Sequence, residues 1–185
     1  MREGFACGWG AVNAPRSLRT DYSFAMHLYV IRHAVAGDAA PGQDDAERAL
    51  TSDGERKFRK AVKGMRALDL WFDRVLTSPW TRAAETAGLL EPISDNPPIV
   101  TELLARPPSA ELLEAIASPD QATAVVGHDP WLGELIAWLA FGDARRGEAL
   151  LLKKGGIVWL EGSAVPGGMM MRAMIPPKLL RSLAR

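Results

Sequence analysis

One cysteine, two tyrosines and three histidines in 185 residues leave few reactive side chains to consider. A lone thiol, Cys7, forms no intrachain disulfide and no thiolate metal cluster, which fits a reducing, cytoplasmic setting. No apolar run approaches the roughly 20 residues of a bilayer span, so no membrane partner is expected. Net charge is missing too. The formal value of +0 argues against a nucleic-acid binder that works by bulk charge, and no nucleic-acid partner is expected. What remains is 48% hydrophobic and 24% charged, ordinary for a globular chain long enough to bury one core.

Met1 to Ala25, "MREGFACGWGAVNAPRSLRTDYSFA", shows no periodicity and lacks the apolar stretch of a signal peptide. Gly8-Trp9-Gly10 lacks the strand, the third glycine and the helix of a dinucleotide fingerprint. Residues 1–25 are expected to be a poorly structured extension or the product of a start codon placed upstream of Met26. An arm docked on the domain is the alternative. Residues 26–185 form the expected domain.

From Met26 the chain alternates. A strand over His27–Arg32 is followed by a polar loop, Gly37 to Arg48. "TSDGERKFRKAVKGMRALDL" is a helix with Phe58, Ala61, Val62, Met65 and Leu68 on one face, begun by a Ser52–Glu55 capping box. "DRVLTS", "PPIVTEL" and "ATAVVGH" are strands. They alternate with the helices "PWTRAAETAGLLEPI", "SAELLEAIAS" begun by Ser109, and the apolar "DPWLGELIAWLAFG". Such alternation predicts parallel strands joined by helical crossovers, hence an α/β fold. After Gly142 two hairpin-like strands and a tail helix, Pro177 to Leu183, close the sheet edge.

In open α/β sheets the functional crevice lies beyond the carboxyl ends of the strands. Three strands here end in reactive residues: Arg32-His33, "TSPWTR" with Arg82, and "VVGHDP" with His128. Ser78-Pro79 and Asp129-Pro130 each read as an N-cap followed by proline at the first helical position, so two helix N-termini are expected to face one crevice. Two arginines and two histidines there suit a phosphoryl group. Arginine grips the oxygens in bidentate fashion, and a neutral histidine can attack phosphorus.

With these residues in order, the chain resembles the histidine phosphatase superfamily, the phosphoglycerate-mutase-like fold. "YVIRHA" resembles its Arg-His motif, "ALTSDG" its Leu-Thr-x-x-Gly helix start, "SPWTRAAETA" its second loop and "VVGHDPWLGEL" its second histidine motif. The absence of an inserted cap makes the SixA-type phosphohistidine phosphatases the most similar group. The resemblance implies a three-layer α/β fold with a mostly parallel central sheet flanked by helices, and no metal or organic cofactor. It implies His33 as the nucleophile, Arg32 and Arg82 on the phosphate oxygens, His128 completing the pocket and Ser78 as a further phosphate contact. The expected activity is a phosphatase working through phospho-His33 on phosphohistidine proteins. A small-molecule phosphomonoesterase and a non-catalytic phosphate-binding regulatory module are the alternatives. The partner is thus a phosphoprotein or a small phosphate ester, and the oligomeric state stays open.

The general acid departs from the pattern. Relatives that act as mutases carry a glutamate after the third strand. Here Glu102 lies near that place, but Ala105 is closer to the expected spacing. Asp129, directly after the second histidine, is the other candidate, and a plain N-cap is its competing reading. His27 and Trp131, Leu135, Trp138 and Leu139 read as structural, while Trp80 could line the pocket mouth. Arg56, Lys57, Arg59, Lys60, Lys63 and Arg66 make one helix face basic. That face is either solvated or a docking surface for an acidic protein.

Overall fold

A continuous apolar run along the first strand organises the molecule. The computed structural model describes residues 26–184; the expectation for residues 1–25 lies outside them. Strand β1 (Met26–Arg32) sends Tyr29 and Ile31 into one core and Leu28 and Val30 into another, on opposite faces of the sheet. All four are essentially inaccessible to solvent, and burying each aliphatic side chain contributes roughly 1.5–3 kcal/mol. A strand buried on both faces has to be central in a layered domain.

The elements follow in order. They are α1 (Ser52–Ala67), β2 (Arg74–Thr77), α2 (Thr81–Gly88), β3 (Ile99–Val100), α3 (Ala110–Ile116), β4 (Ala122–Gly127) and α4 (Trp131–Phe141). After these come β5 (Ile157–Gly162), β6 (Met169–Ile175) and α5 (Pro177–Leu183). The six-stranded sheet has the order β3-β2-β4-β1-β5-β6. The first four strands in that order pair in parallel, and β5 and β6 add an antiparallel edge. Residues of α1, α2 and α5 fill the Tyr29 core, and those of α3 and α4 fill the Leu28 core. This is the expected three-layer, mostly parallel α/β architecture. No described helix is long and apolar enough to cross a membrane.

Two expected elements are shorter than their sequence pattern. "PPIVTEL" contributes only Ile99 and Val100 to the sheet, because Thr101 turns the chain into a 3-10 turn by accepting from the Leu103 N–H. Helix α2 ends at Gly88, with a separate 3-10 turn over Glu91–Ile93.

The cap of α1 is Thr51, not Ser52: its Oγ1 accepts from the Gly54 N–H at 2.9 Å. The same threonine donates its backbone N–H to the Val35 carbonyl at 3.0 Å. A Cβ at Gly54 would stand 2.1 Å from that carbonyl. Thr51 and Gly54 therefore press the start of α1 against the segment that follows His33. At the far side of the helix Gly64 admits the backbone of Leu180, so α5 lies directly on α1.

Candidate active site

Register brings the site together. Arg32 on β1 is level with Gly127 on β4, and Thr77 on β2 with Val126. The residues that follow leave the sheet side by side: the His33 N–H donates to the Gly127 carbonyl at 3.1 Å, and the Ser78 N–H to the Val126 carbonyl at 3.0 Å. Helix α2 then turns Arg82 back over the same edge. His33, Arg82 and His128 are only 4%, 5% and 3% exposed, and the two imidazole centroids lie 5.2 Å apart. The four residues expected from the sequence, Arg32, His33, Arg82 and His128, occupy one crevice.

The tautomer of His33 follows from its neighbours. Nδ1 lies 2.7 Å from the Ala34 carbonyl, an oxygen that can only accept, so Nδ1 carries the proton. Nε2 then keeps its lone pair, and the Arg82 Nε–H donates to it at 3.3 Å. Burial, partly offset by the Ala34 hydrogen bond and reinforced by the charges of Arg82, Arg32 and Lys154, lowers the His33 pKa to about 4. His33 is thus a neutral imidazole at pH 7, with its free lone pair directed at a guanidinium. Thr86 braces the pair: its Oγ1 accepts from the Ala34 N–H at 3.0 Å and donates to the Arg82 carbonyl at 2.6 Å.

Arg82 needs partners because a buried guanidinium is costly without them. Its Nη1 donates to the Asp45 carbonyl at 2.5 Å and its Nη2 to Asp45 Oδ2 at 2.8 Å. Its guanidinium carbon sits 4.6 Å above the Trp80 ring. Nη2 carries two hydrogens, one on the fork with Nη1 and one on the fork with Nε. Asp45 occupies the first fork and leaves the second turned toward His33. Asp45 itself is fixed by Arg48, whose hydrogen bond, with help from Arg82, holds its carboxyl below the ordinary range. Sequence reading did not single out Asp45. It lies in a 3-10 turn within the polar loop, where no periodicity reports direction.

Loss of the Asp45 carboxylate is expected to loosen Arg82 without removing its charge. Its side chain is 52% exposed, so the effect should be modest. Asp45→Ala is expected to lower kcat/KM for a phosphomonoester about three- to tenfold, mainly through KM. A steady-state comparison checks this, and a gain in kcat/KM would instead make Asp45 a competitor for the phosphate edge.

His128 is held by Ser78, whose Oγ lies 2.9 Å from its Nε2 and also accepts from the Trp80 N–H at 3.3 Å. Burial, with the charges of His33 and Arg82, lowers its pKa to about 3. Trp80 packs on this ring at 4.5 Å between centroids and meets Trp131 edge-on at 5.6 Å. Trp80 thus stands against both His128 and Arg82. Trp131 is only partly buried and joins the same aromatic wall, not the core. His27 lies at the opposite end of β1, against the Trp159 indole N–H.

The two expected N-caps are corrected. Helix α2 starts at Thr81, beyond Ser78, whose hydroxyl serves His128. Helix α4 starts at Trp131 without a side-chain cap, because the Asp129 carboxylate turns to Arg32: Oδ2 lies 2.6 Å from Nη1. An ion pair in a half-buried setting outcompetes a capping bond to a backbone amide. The same Nη1 donates to the Leu152 carbonyl at 2.7 Å. Burial raises the Asp129 pKa, and Arg32 only partly opposes this. Glu102, the other candidate acid, is exposed and makes no side-chain hydrogen bond or ion pair with these residues.

Three buried polar atoms at this edge, Arg32 Nε, His128 Nδ1 and Asp129 Oδ1, lack a hydrogen-bond partner among the described residues. Arg32 Nε is a donor that an oxyanion would satisfy, whereas Asp129 Oδ1 is an acceptor that it would not. A tetrahedral oxyanion beside His33 Nε2 would meet donors from Arg32, Arg82 and His128. The arrangement can attack phosphorus from a neutral nitrogen and neutralise the equatorial oxygens.

Comparison with known proteins places the chain in a family. A family model described as the histidine phosphatase superfamily (branch 1) matches residues 28–105. An uncharacterized protein of a Picosynechococcus strain is 36% identical over 145 residues, 75% of this chain and 87% of its own length. Phosphohistidine phosphatase SixA of Escherichia coli is 31% identical over 129 residues, 64% of this chain and 76% of its own. A structure of the protein histidine phosphatase SixA with tungstate superposes with a TM-score of 0.67 at 24% identity, covering 84% of this chain and 99% of that one.

Proposed function

The chain belongs to the histidine phosphatase superfamily and is a phosphatase, and from that premise we propose that it hydrolyses phosphohistidine on proteins through a phosphoryl intermediate on His33 Nε2. The observation that carries the reading is the His33 tautomer: Nδ1 is fixed on the Ala34 carbonyl, and the unprotonated Nε2 faces Arg82, whose Nε–H donates to it. In the first step the Nε2 lone pair forms the new N–P bond while the P–N bond to the substrate imidazole breaks. The leaving nitrogen takes a proton. In the second step water attacks phosphorus and gives a proton to the Asp129 carboxylate, the His33–P bond breaks, and orthophosphate leaves with His33 again neutral. Arg32 and Arg82 grip the equatorial oxygens in both steps, and His128, steadied by Ser78, donates to the oxygen nearest it.

Asp129 is the proton donor in this proposal, in preference to Glu102. Burial raises its pKa and its Oδ1 has no partner among the described residues, both of which favour a group that passes a proton. An imidazole leaves with little help, whereas an alkoxide does not leave unprotonated. Asp129→Asn is therefore expected to cost about tenfold or less on a phosphohistidine substrate and about 10²-fold or more on an alkyl phosphate. Equal losses on both would remove Asp129 from the role.

Support for the protein substrate comes from the SixA likeness and from the lack, among the described residues, of a segment inserted as a cap. A cytoplasmic setting belongs to the same reading. The competing reading, a small-molecule phosphomonoesterase, is favoured by the acid itself, since a labile phosphoramidate does not require one. The test compares kcat/KM for a phosphohistidine-bearing phosphocarrier protein with that for a panel of phosphorylated metabolites. A clear preference for any metabolite would transfer the conclusion to the second reading.

A further inference from the structure

The basic face anticipated on α1 becomes a groove once α5 is laid beside it. Arg56, Lys57, Arg59, Lys60, Lys63 and Arg181 line a space of about 780 Å³, with Glu55 the one carboxylate among its lining residues. Some of this charge is answered locally. Asp53 pairs with Arg56 and Lys57, and Glu55 with Arg59. Lys60, Lys63 and Arg181 have no ion pair among the described residues. In a chain of net charge +0 this is a concentrated positive field, not a share of a general excess.

The groove adjoins the segment that follows His33. A smaller cleft beside it is lined by Ala34, Val35 and Lys154 and shares Lys57 and Arg181 with the groove. Ala34 supplies the carbonyl that fixes His33, and the Lys154 charge is felt at the His33 imidazole. Lys154, Lys57 and Arg181 thus lie between the residue that follows His33 and the outer face of α1. From Lys57 to Lys63 the helix advances about 9 Å, the reach of about three residues of extended chain.

We propose that this groove docks an acidic segment of the phosphoprotein substrate, next to the phosphorylated histidine that enters the crevice. The inference rests on the phosphohistidine reading above and adds a sequence preference to it. Charge complementarity selects the occupant. A membrane surface would need apolar side chains among the cations, and the exposed positions of α1 offer none larger than Ala67. The chain's own residues 1–25 are no match either, because Arg2, Arg16 and Arg19 outnumber Glu3 and Asp21.

The test uses the full chain, a Lys60→Glu/Lys63→Glu variant, and two phosphohistidine proteins whose flanking segment is acidic or neutral. p-Nitrophenyl phosphate serves as the small substrate. Wild type is expected to favour the acidic protein about tenfold in kcat/KM at low ionic strength, and to lose that preference by about 0.5 M salt. The variant is expected to lose the preference while hydrolysing p-nitrophenyl phosphate as wild type does, with an unchanged thermal midpoint. Equal rates on the two proteins, or a parallel loss on p-nitrophenyl phosphate, would overturn the docking proposal alone. Loss of binding to RNA or to anionic vesicles with the protein preference intact would overturn it in favour of those partners. Turnover of neither protein by wild type would overturn the phosphohistidine reading and this inference with it.

Discussion

His33→Ala is expected to abolish turnover, by at least about 10⁴-fold in kcat on any phosphorylated substrate, while leaving the fold and anion binding in place. The loss is large because the proposed nucleophile has no understudy. His128, the other imidazole in the crevice, has its Nε2 on Ser78, 2.9 Å away. The fold should survive because His33 contributes little to the apolar cores and takes part in the sheet edge through its backbone, by donating to the Gly127 carbonyl and accepting from the Gly155 N–H. Removal of a buried imidazole leaves room beside Arg82, so orthophosphate should still bind. Isothermal titration with orthophosphate, beside an activity assay, checks both halves. Substantial residual turnover would mean that water, not His33, attacks phosphorus.

Arg82 carries the second largest effect. Arg82→Ala is expected to lower kcat/KM by about 10³-fold, the scale of losing a donor to the transferring group together with a buried charge. Arg82→Lys is expected to recover little of it. A lysine supplies one ammonium where Arg82 supplies two forks, one on Asp45 and one toward His33, and it forfeits the planar contact with Trp80. The measurement is kcat and KM for both variants on an activated aryl phosphate. If Arg82→Lys retained nearly full activity, the two-fork geometry would not be what the reaction uses.

Those two residues were legible in the sequence because their positions are set by regular structure. A central strand that is apolar on both faces must end at the sheet edge, but "LYVIRH" alone fits a surface turn as well, and only the company of "TSPWTR" and "VVGHDP" places Arg32 and His33 at a crevice. The junctions after β2 and β4 add Arg82 and His128 by the same logic. Where the reading failed, the deciding contacts were long-range and polar. Ser78 and Asp129 looked like caps because a cap is the local option for a serine or an aspartate before proline. His128 and Arg32, distant in sequence, offered stronger partners. Asp45 was invisible for a related reason: its direction depends on Arg48 and Arg82, and an acidic residue in a polar loop carries no pattern. The Thr51 cap was displaced by one residue from Ser52 because Val35 fixes the Thr51 backbone from outside the helix.

The central claim is a covalent phosphoryl group on His33 Nε2, and rapid quenching under alkaline conditions, which preserve phosphohistidine, tests it most directly. Protein mixed with a phosphohistidine substrate or an activated aryl phosphate, quenched within the first turnover and analysed by peptide mass spectrometry, should carry one phosphoryl group on the peptide containing His33. That label should be lost in acid and absent from His33→Ala. Full turnover by the wild type with no trapped label at any quench time, or a label on a peptide other than that of His33, would contradict the account.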